Sequence, residues 1–266
     1  MKKHIIFSAL LIATLLSSCT KEITLELDSS DPKLVVESII SDNLEPFTVK
    51  LSQTTPYFND GEVYVTNAVV IISDDLGNVD TLSYVANGIY STISNRQGTV
   101  GTTYNLTVIW AGTTYTATET IPLKVNLDTI LYQYQEEGAF QEAGYITALN
   151  AQDIPGYSNH YRFSFYRNDT LQTDPFKYFV VDDQFSDGNY ISAFTPYVYQ
   201  TNDTCKIELL CISKPYYQFL TSLGNQVQAT GGPFDPIPSN PPSNISNGAL
   251  GFFATVTRDV KTIVLP

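Results

Sequence analysis

Apolar and polar side chains alternate with a period of two along most of this chain, the pattern of half-buried β-strands. From Lys33 onward the runs are "KLVVESII" (33–40), "FTVKLSQ" (47–53), "NAVVIIS" (67–73), "VDTLSY" (79–84), "TYNLTVIW" (103–110) and "TYTATETI" (114–121). Turn-forming residues separate them: "SDDLGN" around Gly77, "ANG" before Ile89, and Ala111-Gly112 between two strongly alternating runs. Two residues between alternating strands predict a tight hairpin. In it Tyr104, Leu106, Val108 and Trp110 face one way and Asn105, Thr107 and Ile109 the other. The spacing of these strands predicts an immunoglobulin-like or transthyretin-like sandwich over residues 33–123.

A second β-rich unit is expected over residues 124–266. "LKVNLDTI" (123–130) leads into it, followed by "GYITALN" (144–150), "HYRFSFYRN" (160–168), "FKYFVVDD" (176–183), "NYISAFTPYVY" (189–199) and "CKIELLCIS" (205–213). One stretch breaks the period. Tyr216, Phe219, Leu220, Leu223 and Val227 recur at helical spacing, which predicts a helix near 215–228. Ser213 and Pro215 supply its start signal. Residues 231–253 are dense in Gly, Pro, Asn and Ser, yet they lead into the buried-looking Gly251–Val256, so they read as an ordered closing loop. The fold class expected is all-β with one short helix. The 18 Tyr and 14 Phe against one Met agree with that.

The first residues follow another logic. Lys2, Lys3 and His4 precede an apolar stretch, Ile5–Leu16. A bilayer-spanning helix needs about 20 apolar residues, so this stretch is too short. It matches the apolar region of a secretory signal. The following Leu16-Ser17-Ser18-Cys19 resembles the lipobox of bacterial lipoproteins. There the cysteine thiol receives a diacylglyceryl group and the freed amine an acyl chain. Residues 1–18 are thus expected to be a signal peptide, and residues 19–32 a lipidated Cys19 with a polar tether. Cys205 and Cys211 offer no disulfide alternative. Six residues along one strand separate them by roughly 20 Å, against the limit of about 7 Å for a bridge. They are expected to be buried free thiols beside Ile207 and Leu209.

Charge narrows the functions. The net charge is −13, and loss of Lys2 and Lys3 with the signal peptide takes it to −15. That sign disfavours nucleic acid and anionic lipid surfaces. After residue 18 the one histidine is His160, which excludes metal sites built on two or three histidines. No G-x-S-x-G elbow and no phosphate-binding loop occurs. Asp182, Asp183 and Asp187, ahead of Gly188, are candidate calcium ligands, although Phe185 breaks the EF-hand pattern. A hairpin loop with solvated acids is the alternative. Tyr190, Tyr197, Tyr199, Tyr216 and Tyr217 are candidates for a ligand or partner surface. Alternatively, they simply fill sheet faces.

"CTKEITLELDSSDPKLVVESIISDN", "PFTVKLSQTTPYF", "NAVVIISDDLGN", "YFVVDDQFSDGNYI" and "NPPSNISNGALGFF" stand here in a characteristic order. In this the chain resembles a family of Bacteroidota outer-membrane lipoproteins carrying domain of unknown function 4249. The resemblance implies a lipid-anchored protein of the cell envelope, often encoded beside a TonB-dependent receptor. It transfers no functional residue except the lipidated cysteine. The expected function is that of a non-enzymatic binding or accessory component beside such a transporter, with no cofactor other than the lipid on Cys19. A carboxylate-based glycan hydrolase and a surface adhesin are the alternatives. Lys21-Glu22 matches part of a surface-export signal, which favours the cell surface over the periplasmic face.

Overall fold

The alternating runs before Pro122 become ten strands: β1 (Leu34–Ser41), β2 (Leu44–Glu45), β3 (Thr48–Gln53), β4 (Val63–Tyr64), β5 (Val69–Asp74), β6 (Val79–Ala86), β7 (Ile89–Ser91), β8 (Arg96–Gln97), β9 (Thr103–Trp110) and β10 (Thr113–Thr120). The computed structural model describes residues 31–56, 61–139, 141–173, 178–228 and 240–266. Cys19, the expected signal peptide and most of the expected tether therefore lie outside the described residues. The sheet path β10–β9–β5–β6–β7–β3–β1 curls over itself. Val36, Leu51, Val70, Leu106 and Val108 all point into one core, which makes this part a sandwich. The register shifts between Tyr84 and Ala86 on β6, and such irregularities increase local twist. The β9–β10 hairpin forms as expected. Ala111 (φ 50°) and Gly112 (φ 77°) are both left-handed, as a two-residue turn of this twist requires.

Beyond Pro122 the elements are β11 (Leu127–Gln135), β12 (Gly144–Gln152), β13 (His160–Arg167), β14 (Thr170–Gln172), β15 (Phe179–Asp182), β16 (Tyr190–Tyr199), β17 (Thr204–Ile212), α1 (Lys214–Gln228) and β18 (Leu250–Val264). The antiparallel sheet β11–β12–β16 covers one face of β13 and β17, and Tyr161, Phe163 and Phe165 meet Leu127, Leu149 and Tyr199 there. Cys205 and Cys211 lie in this second core as free thiols, on the face that alternation assigned them. On the opposite face α1 sets Tyr216 and Leu220 against Leu210, Ile212, Phe252 and Val256. The Ser213 hydroxyl caps α1 by accepting the Tyr216 N–H at 3.3 Å. Val227 is exposed, so the last helical turn leaves the sheet.

The expected boundary at 123/124 falls between the two cores, but the sheet runs across it. β18 is the seam. Its first half pairs in parallel with β1, from Val35↔Leu250 to Ser41↔Val256. Its second half pairs antiparallel with β17, from Cys211↔Thr257 to Thr204↔Val264. Phe253, fully buried, belongs to the first core, while Phe252 and Val256 face the helix. The segment before it returns to the first sandwich too, since Ile245 and Ala249 pack in the first core. Residues 32–266 form one compact unit. Among the described residues no helix is long and apolar enough to cross a membrane.

Candidate functional site

A cavity of about 410 Å³ opens between the end of β10, the 157–160 loop and the junction of β17 with α1. Both halves of the chain contribute to its wall. Along β10 the inward positions are Tyr115, Ala117 and Glu119, so an acid occupies a place where alternation calls for an apolar side chain. Glu119 is 7% exposed. The Asn244 amide donates to its Oε1 at 3.3 Å, and the Ser213 hydroxyl adds a hydrogen bond. Asn244 is itself held by the Phe253 main chain: it accepts the N–H at 3.0 Å and donates to the carbonyl at 2.8 Å. Burial holds the Glu119 carboxyl above the usual carboxylate range, and its two neutral donors oppose this only in part.

His160 opens β13 and lines the same cavity. It is buried, with its ring 5.0 Å from that of Tyr217. Burial pushes the imidazole below its ordinary value, and the Lys214 charge acts in the same direction against Asp182 and Asp183. The ring is therefore neutral at pH 7. Lys214, at the first turn of α1, is exposed at the cavity, and Tyr157 is 42% exposed.

An acidic clasp holds the 157–160 wall in place. Asp153 accepts the Tyr161 hydroxyl, the Asn159 amide at 3.0 Å and the Gly188 N–H at 2.8 Å. Asp183 accepts the Asn159 N–H at 2.6 Å, and Asp187 the Gly156 N–H at 2.7 Å. Oxygens of Asp153, Asp183 and Asp187 all lie within 4.8 Å of one another, with the first two residues buried. Three carboxylates this close repel, and the charge-assisted hydrogen bonds offset that repulsion. Calcium requires six to eight free oxygens, whereas here N–H and O–H groups already point at these carboxylates. Their evident role is to lock the loop that carries Asn159 and His160. Asp182, grouped with the other two by the sequence, sits exposed at the end of β15 and accepts the Gln184 N–H.

The family model described as domain of unknown function (DUF4249) matches residues 20–262. The chain belongs to the DUF4249 family. A comparison with curated proteins returns no match.

In this DUF4249 protein the five candidate tyrosines do not form one surface. Tyr199 and Tyr216 are core residues, the second with its ring 5.1 Å from Phe252. Tyr217 packs on His160. Tyr190 is exposed and donates its hydroxyl to Asp128. Tyr197 donates to the Gln172 carbonyl at 3.2 Å beside a separate cavity of about 470 Å³, which Gln135, Gln141, Glu142 and Arg167 also line. Arg167 is engaged there by Asp203 at 2.8 Å and the Val198 carbonyl at 2.6 Å. Sequence reasoning missed Glu119 and Asp153. The signal for Glu119 was present, an acid at an inward position of an alternating strand. For Asp153 there was none, because its partners come together only through the pairing of distant loops.

Proposed function

We propose that this DUF4249 protein is a lipid-anchored binding component of the cell envelope of the Bacteroidota lipoprotein type. It works beside a TonB-dependent outer-membrane transporter and carries no chemistry of its own. The observation that carries the reading is Leu16-Ser17-Ser18-Cys19 closing an apolar stretch too short to span a bilayer. Acyl chains on Cys19 hold the protein to the outer membrane, on the cell-surface side that Lys21-Glu22 favours. More than one chain makes such anchoring durable. The seam cavity supports the binding half of the reading. It is concave and rich in polar groups, and each of its walls is positioned by hydrogen bonds to other elements.

A glycan hydrolase requires two acids facing each other across a cleft. Among the described residues, the seam cavity and the cavity beside Tyr197 are each lined by a single carboxylate, Glu119 in one and Glu142 in the other. That geometry favours binding over hydrolysis. Two measurements test the proposal. Cys19→Ala is expected to move the protein from the membrane to the soluble fraction, and retention in the membrane would overturn the anchor. Affinity capture of the tagged protein from solubilised outer membranes is expected to recover a TonB-dependent transporter. Recovery of none would overturn the partnership.

A further inference from the structure

The seam cavity is lined by one acid and one ammonium group, Glu119 and Lys214. Among the described residues the ion pairs are those of Lys50, Arg96, Lys124, Arg167, Lys206 and Arg258, and neither Glu119 nor Lys214 takes part in one. Glu119 is more than nine-tenths buried, and its donors among the described residues are neutral, the Asn244 amide and the Ser213 hydroxyl. Burial without a counter-charge disfavours its charged form, and an ammonium group placed against it would restore that form. Lys214 lines the same cavity at the first turn of α1, where the helix dipole adds further positive potential. His160, neutral, cancels neither charge.

We infer that this cavity binds a small zwitterion of the α-amino-acid type, its ammonium at Glu119 and its carboxylate at Lys214. A molecule carrying both charges compensates both walls at once, whereas a simple amine or a simple acid satisfies one and repels the other. At about 410 Å³ the space lies within the range of small-molecule sites and admits a single amino acid. Tyr157 at the rim and the hydroxyls of Thr118, Thr120 and Ser158 offer contacts to a side chain. The inference rests on the binding reading above, although it needs neither the anchor nor the transporter.

Isothermal titration calorimetry of the purified full-length protein tests it with glycine, alanine and serine, and with methylammonium, acetate and glucose as controls. The amino acids are expected to bind, and the controls to bind at least tenfold more weakly. Glu119→Gln and Lys214→Met should each weaken amino-acid binding by on the order of tenfold or more. Lys214 is exposed, so Lys214→Met keeps the test decisive even if Glu119→Gln fails to fold. Equal binding of methylammonium, acetate or glucose would overturn the inference. So would undiminished binding by Lys214→Met, or the absence of heat from every amino acid. If the amino acids give no heat while the transporter still co-purifies, the ligand class fails and the envelope reading stands.

Discussion

Replacing Gly251 with Ala probes the seam that joins the two cores. Gly251 has φ +87° and lies opposite Val36 in the parallel β1–β18 register. An added Cβ would stand 2.0 Å from the Val36 carbonyl oxygen and 2.9 Å from its nitrogen. Two costs follow. The left-handed backbone costs a non-glycine residue about 1–2 kcal/mol. Gly112→Ala isolates that term, because Gly112 has φ +77° and open space around its Cβ position. The contact with Val36 is different, since the obstacle is main chain and no rotamer change relieves it. β1 and β18 must separate locally and give up two or three ladder hydrogen bonds, each worth about 1 kcal/mol net. Gly251→Ala should therefore lose about 3–5 kcal/mol in all and Gly112→Ala about 1–2, a difference that is large against typical domain stabilities of about 5–15 kcal/mol. Urea unfolding followed by the fluorescence of Trp110, the single tryptophan, which packs on the first core, measures both variants. If Gly251→Ala loses no more than Gly112→Ala, β1 and β18 are not held in tight register and the seam argument is wrong.

Two further outcomes are expected. Glu119 has a raised pKa in the folded state, so the native protein binds this proton more tightly than the unfolded chain does. Its contribution therefore falls as pH rises from the ordinary glutamate value of about 4.3 through the raised one, and a pH series of urea midpoints should show Glu119→Gln flattening that decline. Asp153→Asn turns an all-acceptor group, facing the Tyr161 hydroxyl, the Asn159 amide and the Gly188 N–H, into one that presents a donor to donors. It should cost about 2–3 kcal/mol in the same unfolding assay, and a loss below about 0.5 kcal/mol would show that the clasp does not hold the loop.

The strands that bear a regular period were legible because alternation is a local property. "TYNLTVIW" and "CKIELLCIS" each show one apolar face, and those faces are the ones buried. α1 was legible through Tyr216 and Leu220 at helical spacing and the Ser213 cap. β2, β4 and β8, with two residues each, are too short to show any period and form only because a partner strand lies beside them. The five tyrosines show the limit. Alternation places Tyr197 and Tyr199 on the same side of β16, but packing against β13 and β17 decides that Tyr199 is core. The bulge between Ile146 and Ala148 in the pairing of β12 with β16 resets which residues stand opposite one another.

By itself, then, the sequence determined the all-β class, the position of the helix, the buried thiols and the acidic balance. Each of these follows from side chains a few residues apart or from composition. Tertiary structure alone decided that residues 250–256 pair with β1 across more than two hundred positions, that Asp153 rather than Asp182 joins Asp183 and Asp187, and that Glu119 and Lys214 line one cavity. The physical reason is the same in each case. Strand periodicity specifies which face is apolar but carries no information about which distant strand will cover it, and the cavity exists only where those distant pairings meet.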